Sequence, residues 1–228
     1  MTADVCVLGA GLIGGSLMRA LGPERAFGWN RSAAGAEAAT AAGFAVTTDL
    51  HDTLRRARES DALVVVAVPL PALDAVLGAV AEHAPGVALT DVISVKGPVL
   101  DAVRRHGLGA RFVGGHPMAG TEFSGWTASQ EGLFASAAWA VTYDFAYELD
   151  AAGEAVPESW SRLFTNVCAL AALTGAQFVL VDHVAHVLLG QQAVDDVERH
   201  LVALGQALAQ QHAARRRLVA LEILVAVL

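Results

Sequence analysis

The chain passes from an apolar run, Val5-Cys6-Val7-Leu8, directly into Gly9-Ala10-Gly11-Leu12-Ile13-Gly14-Gly15 and then into a segment of helical character. A strand, a GxGxxG turn and a helix in that order leave few folds open. Gly9 is expected to make the tight turn, Gly11 to let a pyrophosphate approach the backbone, and Gly14 to let the helix lie close on the strand. A helix start offers free N–H groups and the positive end of its dipole to phosphates. Gly9, Gly11, Leu12, Ile13 and Gly14 are therefore the expected cradle of a dinucleotide.

The rest of the chain repeats the alternation. Short apolar runs at residues 26–29, 44–47, 62–68, 87–95 and 111–114 read as buried strands, and helical patterns at 12–21, 33–42, 50–59, 73–83 and 98–106 fall between them. Asp49 stands as a helix N-cap. This predicts an α/β fold, a Rossmann-like doubly wound and mostly parallel sheet with right-handed crossovers. Beyond residue 115 the pattern loosens. Residues 120–134 read as loop or short helix, 138–142 as strand, 150–157 as an acidic surface excursion, 159–174 as helix and 177–181 as a last strand. A boundary near Asp182 divides the chain into a dinucleotide-binding domain, residues 1–182, and a short helical C-terminal segment, residues 183–228.

In such a fold the second strand usually ends in an acid that binds the ribose hydroxyl of NAD. Here it ends Gly28-Trp29-Asn30-Arg31-Ser32. Arg31 can pair with a 2′-phosphate, and Asn30 and Ser32 can hydrogen-bond it, which favours NADP over NAD. In the alternative, Arg31 is solvated and Asn30 serves NAD. Val68, Pro69 and Leu70 end the fourth strand at the edge where ligands bind. They form either an apolar lip for the cofactor or a plain strand terminator.

Two more segments reach that edge. Ser94 and Lys96, the single lysine of the chain, follow the fifth strand, and His116 stands between Gly115 and Pro117 after the sixth. An isolated histidine is ordinarily a packed or surface residue. At the carboxyl edge of the sheet, held by glycine and proline, its imidazole is suited to proton transfer near neutral pH.

Composition narrows the classes. A net charge of −8 argues against a nucleic-acid partner. The chain is 54% hydrophobic and 17% charged, which suits a globular core. Its mean hydropathy of +0.47 comes from alanine, valine and leucine spread along the chain, without the roughly 18 consecutive apolar residues of a spanning helix. We therefore expect no membrane association, no leader peptide and a cytoplasmic location. Cys6 and Cys168 lie in no metal-binding spacing, so no metal is expected, and their low number suits a reducing compartment.

Three segments together carry a family resemblance: VLGAGLIGGS at residues 7–16, DVISVKG at 91–97 and GGHPMAGTEFSG at 114–125, with Leu133, Phe134 and Trp139 following. Over about residues 4–182 the chain resembles the prephenate and arogenate dehydrogenases of tyrosine biosynthesis. The resemblance implies NAD(P)-dependent oxidative decarboxylation of a cyclohexadienol, giving 4-hydroxyphenylpyruvate from prephenate or tyrosine from arogenate. It implies that His116 is the base acting on the ring hydroxyl and that Ser94 orients that hydroxyl or the histidine. It also implies that Thr121 and Glu122 line the substrate, that Lys96 serves either the substrate carboxylates or the local fold, and that the protein is a homodimer. Family members continue with a helical dimerisation region carrying a second histidine segment and a pocket arginine. Here Asp182-His183-Val184-Ala185-His186 replaces the histidine segment and no arginine can be matched, so the region reads as shortened or diverged. The competing readings are a dinucleotide-binding module without catalysis, and another Rossmann oxidoreductase acting on a hydroxy acid or imine.

Overall fold

The computed structural model describes residues 4–182. The segment expected to be helical, residues 183–228, with His183 and His186, lies outside the described residues, and the domain division falls at their limit.

Six parallel strands form the main sheet. They are β1 (Val5–Leu8), β2 (Ala26–Trp29), β3 (Ala45–Thr47), β4 (Leu63–Val66), β5 (Leu89–Asp91) and β6 (Phe112–Val113). Their order is β3-β2-β1-β4-β5-β6, so the winding reverses between β1 and β4. Five helices connect them: α1 (Leu12–Leu21), α2 (Ala33–Ala41), α3 (Leu50–Glu59), α4 (Leu70–His83) and α5 (Lys96–Arg105). The expected doubly wound sheet is present.

The continuous apolar runs arise because both faces of this sheet are covered. Successive side chains of a strand point to opposite faces. Val5, Val7, Leu63 and Val65 enter one core with Leu17, Met18, Ala36 and Ala39 from α1 and α2. Cys6, Leu8, Val64 and Val66 enter the other with Leu54, Leu73, Leu77, Val99 and Val103 from α3, α4 and α5. Asp49 caps α3 by accepting a hydrogen bond from the Asp52 N–H at 2.9 Å.

The structure departs from expectation after β5. That strand was expected over residues 87–95 but ends at Asp91. The Asp91 carboxylate accepts the N–H of Ile93 at 3.0 Å, a local turn that takes the backbone out of the ladder. The glycine-rich stretch after residue 113 is no simple loop. Gly115–Pro117 forms β7, which pairs antiparallel with β8 (Ala138–Thr142), and β8 pairs in parallel with β9 (Gln177–Val181). The result is a separate three-stranded sheet. Helix α7 (Glu158–Leu173) packs Trp160, Leu163, Phe164 and Val167 into the same core as Val5 and Val7. A further helix, α6 (Asp144–Ala152), occupies residues to which the sequence reading assigned no helix. It ends at Gly153, which takes the left-handed conformation with φ 75°.

Candidate active site

The site begins where β1 meets α1. Gly9 has φ +112°, and a Cβ on it would lie 2.6 Å from the Ala67 carbonyl oxygen. A Cβ on Gly14 would meet the Gly9 carbonyl and come within 2.9 Å of Val7 Cγ1. Both positions are closed to side chains by neighbouring backbone. Gly11 differs, because nothing lies within 4 Å of its added Cβ. It is the N-cap of α1, no side chain caps that helix, and no acid stands in its first turn. The N–H groups of Leu12, Ile13 and Gly14 therefore have no intrahelical acceptor, and the positive end of the helix dipole lies with them. These features fit the pyrophosphate of a dinucleotide. The cradle lies at the reversal between β1 and β4, where open α/β sheets form their ligand crevice.

The turn after β4 forms one wall of this cradle. Ala67 touches both Gly9 and Gly14, Val68 is buried, and Pro69 and Leu70 are exposed at the start of α4. At the end of β2, Arg31 is exposed. The Ser32 hydroxyl accepts the Gly35 N–H at 3.3 Å and caps α2, while the Asn30 side-chain amide donates to the Ser32 carbonyl at 3.2 Å. Asn30 and Ser32 thus shape the loop that presents Arg31.

The second half of the site is organised by a residue that the sequence reading did not single out. Asp91, at the end of β5, is buried, and so is Lys96 in the first turn of α5. The two form an ion pair. Asp91 also accepts the Gly115 N–H at 3.1 Å, and Lys96 donates to the Gly115 carbonyl at 2.6 Å. Burial pushes the Asp91 carboxyl above its usual range and the Lys96 ammonium below its own, and their mutual attraction opposes both shifts. Lys96, expected to serve either the substrate carboxylates or the local fold, is enclosed and spends two of its three N–H donors inside the protein.

This arrangement explains the GGHP sequence. The Gly114 carbonyl accepts the Thr142 N–H at 2.9 Å, and the Met118 N–H donates to the Ala138 carbonyl at 2.8 Å. By the alternation of an antiparallel ladder, Gly115 and Pro117 then turn their polar groups away from β8. Pro117 has no N–H to satisfy. Gly115 has both groups, and Asp91 and Lys96 take them. A Cβ on Gly115 would lie 2.7 Å from the Asp91 carbonyl oxygen and 3.0 Å from Trp139 Nε1, so only glycine lets β7 pass so near β5. His116 is the next residue, half-buried and paired with Ala140. Ser94 is exposed in the turn between Asp91 and Lys96. Asp91 thereby brings the Ser94 turn and the His116 strand to one edge.

Thr121 and Glu122 lie in the exposed stretch beyond β7. The Thr121 hydroxyl accepts the Phe123 N–H at 3.3 Å, and Glu122 lines an open cleft with Phe123, Ser124 and Gln130. That stretch leads to Trp126, which stacks under the Arg19 guanidinium at 4.6 Å, and to Ser129, which accepts from Arg19 Nε at 2.7 Å. The Ser16 hydroxyl accepts the Gln130 N–H at 2.9 Å. These contacts fasten the chain beyond His116 onto α1.

Comparison with known proteins identifies the family. The family model for the prephenate dehydrogenase nucleotide-binding domain matches residues 14–158. The chain belongs to that family. The curated prephenate dehydrogenase of Bacillus subtilis (strain 168) is 35% identical over 152 residues, covering 62% of this chain and 40% of that protein. The crystal structure of a candidate prephenate dehydrogenase from Corynebacterium glutamicum superposes with a TM-score of 0.75 at 45% identity, covering 82% of this chain and 57% of the other. Prephenate dehydrogenase from Aquifex aeolicus, solved with hydroxyphenyl propionate and NAD+, has a TM-score of 0.68 at 21% identity over 92% of this chain and 71% of that one. At that identity the likeness concerns the fold. The chain thus spans 40% of the Bacillus protein and 57% of the Corynebacterium chain. No helix among the described residues is long and apolar enough to cross a membrane.

Proposed function

We propose that this chain catalyses the NAD(P)-dependent oxidative decarboxylation of prephenate or arogenate, as a cytoplasmic homodimer with residues 1–182 as the dinucleotide-binding domain. The observation that carries the reading is the pairing of an open, uncapped α1 start at Gly11 with His116 held at the same sheet edge. Family membership supplies the substrate class.

Leu12, Ile13 and Gly14 would hold the pyrophosphate through their N–H groups, and Leu70 would form an apolar lip beside it. A nicotinamide dinucleotide held there would supply the acceptor for the hydride that leaves the ring carbon carrying the hydroxyl. His116 accepts the hydroxyl proton as that carbon becomes a carbonyl carbon. Ser94, exposed in the turn that Asp91 holds, orients the hydroxyl. The ring carboxylate leaves as carbon dioxide, its bonding electrons enter the ring, the ring becomes aromatic, and the resulting phenolate oxygen regains the proton held by His116. Aromatisation and loss of carbon dioxide drive the reaction, so the protein has mainly to position the substrate and take one proton.

Arg31 favours NADP+ over NAD+, because an exposed guanidinium at the end of β2 suits a 2′-phosphate where an acid would repel it. The test is a spectrophotometric assay that crosses prephenate and arogenate with NAD+ and NADP+. Reduced nicotinamide is expected with at least one cyclohexadienol, faster with NADP+. Dinucleotide binding by folded protein without turnover of either substrate would replace this reading with that of a binding module.

A further inference from the structure

We propose that Asp91 and Lys96 are positioning residues for His116, acting through the backbone of Gly115. The inference rests on the proposed role of His116 as the base and adds to it the device that aims the imidazole.

Among the described residues β7 has one neighbour in its sheet, β8. The β8 side is held by the ladder at Gly114 and Met118. On the opposite edge the Gly115 N–H and carbonyl would otherwise be buried and unpaired, which is unfavourable for each group. Asp91 takes the first and Lys96 the second. The Gly115 carbonyl belongs to the peptide whose nitrogen is His116's own, so Lys96 fixes the plane from which the His116 side chain departs. Asp91 in turn holds Lys96 and, through Ile93, the turn that carries Ser94. The second sheet is thereby registered against the carboxyl end of β5 by one carboxylate and one ammonium. A base displaced by about 1 Å from its substrate can lose on the order of a hundredfold in rate, so a rigid two-sided clamp on its strand has a direct catalytic consequence. The dinucleotide cradle is built from other residues: Gly9 and Gly14 pack on Val7, Ala67 and Val68.

The experiment uses the full chain with Lys96→Met, and with Asp91→Asn/Lys96→Met as a second variant that leaves no uncompensated buried charge if the first fails to fold. The imidazole Cε1–H resonance of His116 is assigned by its disappearance in His116→Asn, and its chemical shift and titration midpoint are then followed in each variant. NADP+ affinity is measured alongside. The expected result is a displaced His116 resonance and midpoint with NADP+ affinity within about twofold of wild type, since the cradle is untouched. With a turned-over cyclohexadienol, kcat is expected to fall by about tenfold or more while the KM for NADP+ holds. An unchanged His116 resonance in a folded variant overturns the inference, as does an unchanged kcat. If wild type turns over neither cyclohexadienol, the proposed reaction fails, and the histidine resonance alone decides the positioning role.

Discussion

Two glycines of the α1 loop are predicted to fail in opposite ways. In Gly14→Ala the new methyl meets the Gly9 carbonyl and lies 2.9 Å from Val7 Cγ1 and 3.0 Å from Ala67 Cβ, all in the packed heart of the sheet. Backbone must move, and overpacking of this kind costs roughly 1–3 kcal/mol. For a protein of this size that lowers Tm by roughly 2–12 °C. In Gly11→Ala the methyl meets nothing within 4 Å. Alanine is a poorer N-cap than glycine, which limits the stability loss to under about 1 kcal/mol. The methyl instead fills the space assigned to the pyrophosphate, so NADP+ affinity is expected to fall at least about tenfold, or 1.4 kcal/mol. Thermal unfolding and calorimetric titration with NADP+ separate the two effects. Gly11→Ala binding as tightly as wild type would refute the placement of the phosphates, and Gly14→Ala with an unchanged Tm would refute the steric argument.

Arg31→Ala is expected to weaken NADP+ by roughly tenfold while leaving NAD+ nearly unchanged, because a charge-assisted contact to the 2′-phosphate is lost. Equal losses for both dinucleotides would remove the case for NADP. Burial pushes the Cys6 and Cys168 thiols up to about 12. At pH 8 the thiolate is then roughly one part in ten thousand, so a disulfide reagent should label neither until the protein is unfolded. Trp160 is buried, donates to the Phe112 carbonyl at 3.0 Å and stacks on Phe164 at 5.4 Å between ring centres. Trp160→Ala should cost roughly 3–5 kcal/mol, read by denaturant midpoint.

The division between what was legible and what was not follows the range of the interactions involved. The dinucleotide half was legible because it is local. A strand, three glycines and a helix start are contiguous in residues 5–21, and the steric demands on Gly9 and Gly14 arise from chain neighbours and the adjoining strand end at Ala67. The apolar runs of β1 and β4 declared a sheet covered on both faces, since every residue in them is buried. The histidine half of the candidate site was legible as a motif, and its workings were not. GGHP announced a constrained histidine, yet β7 belongs to a second sheet whose partner strand lies some twenty residues onward. The sequence left Lys96, a single lysine five residues after an acid at a strand end, open between the substrate carboxylates and the local fold. Only the tertiary structure decided it. Whether a lysine reaches substrate or closes a buried clamp depends on what packs over it, and here that is Gly115, nineteen residues away.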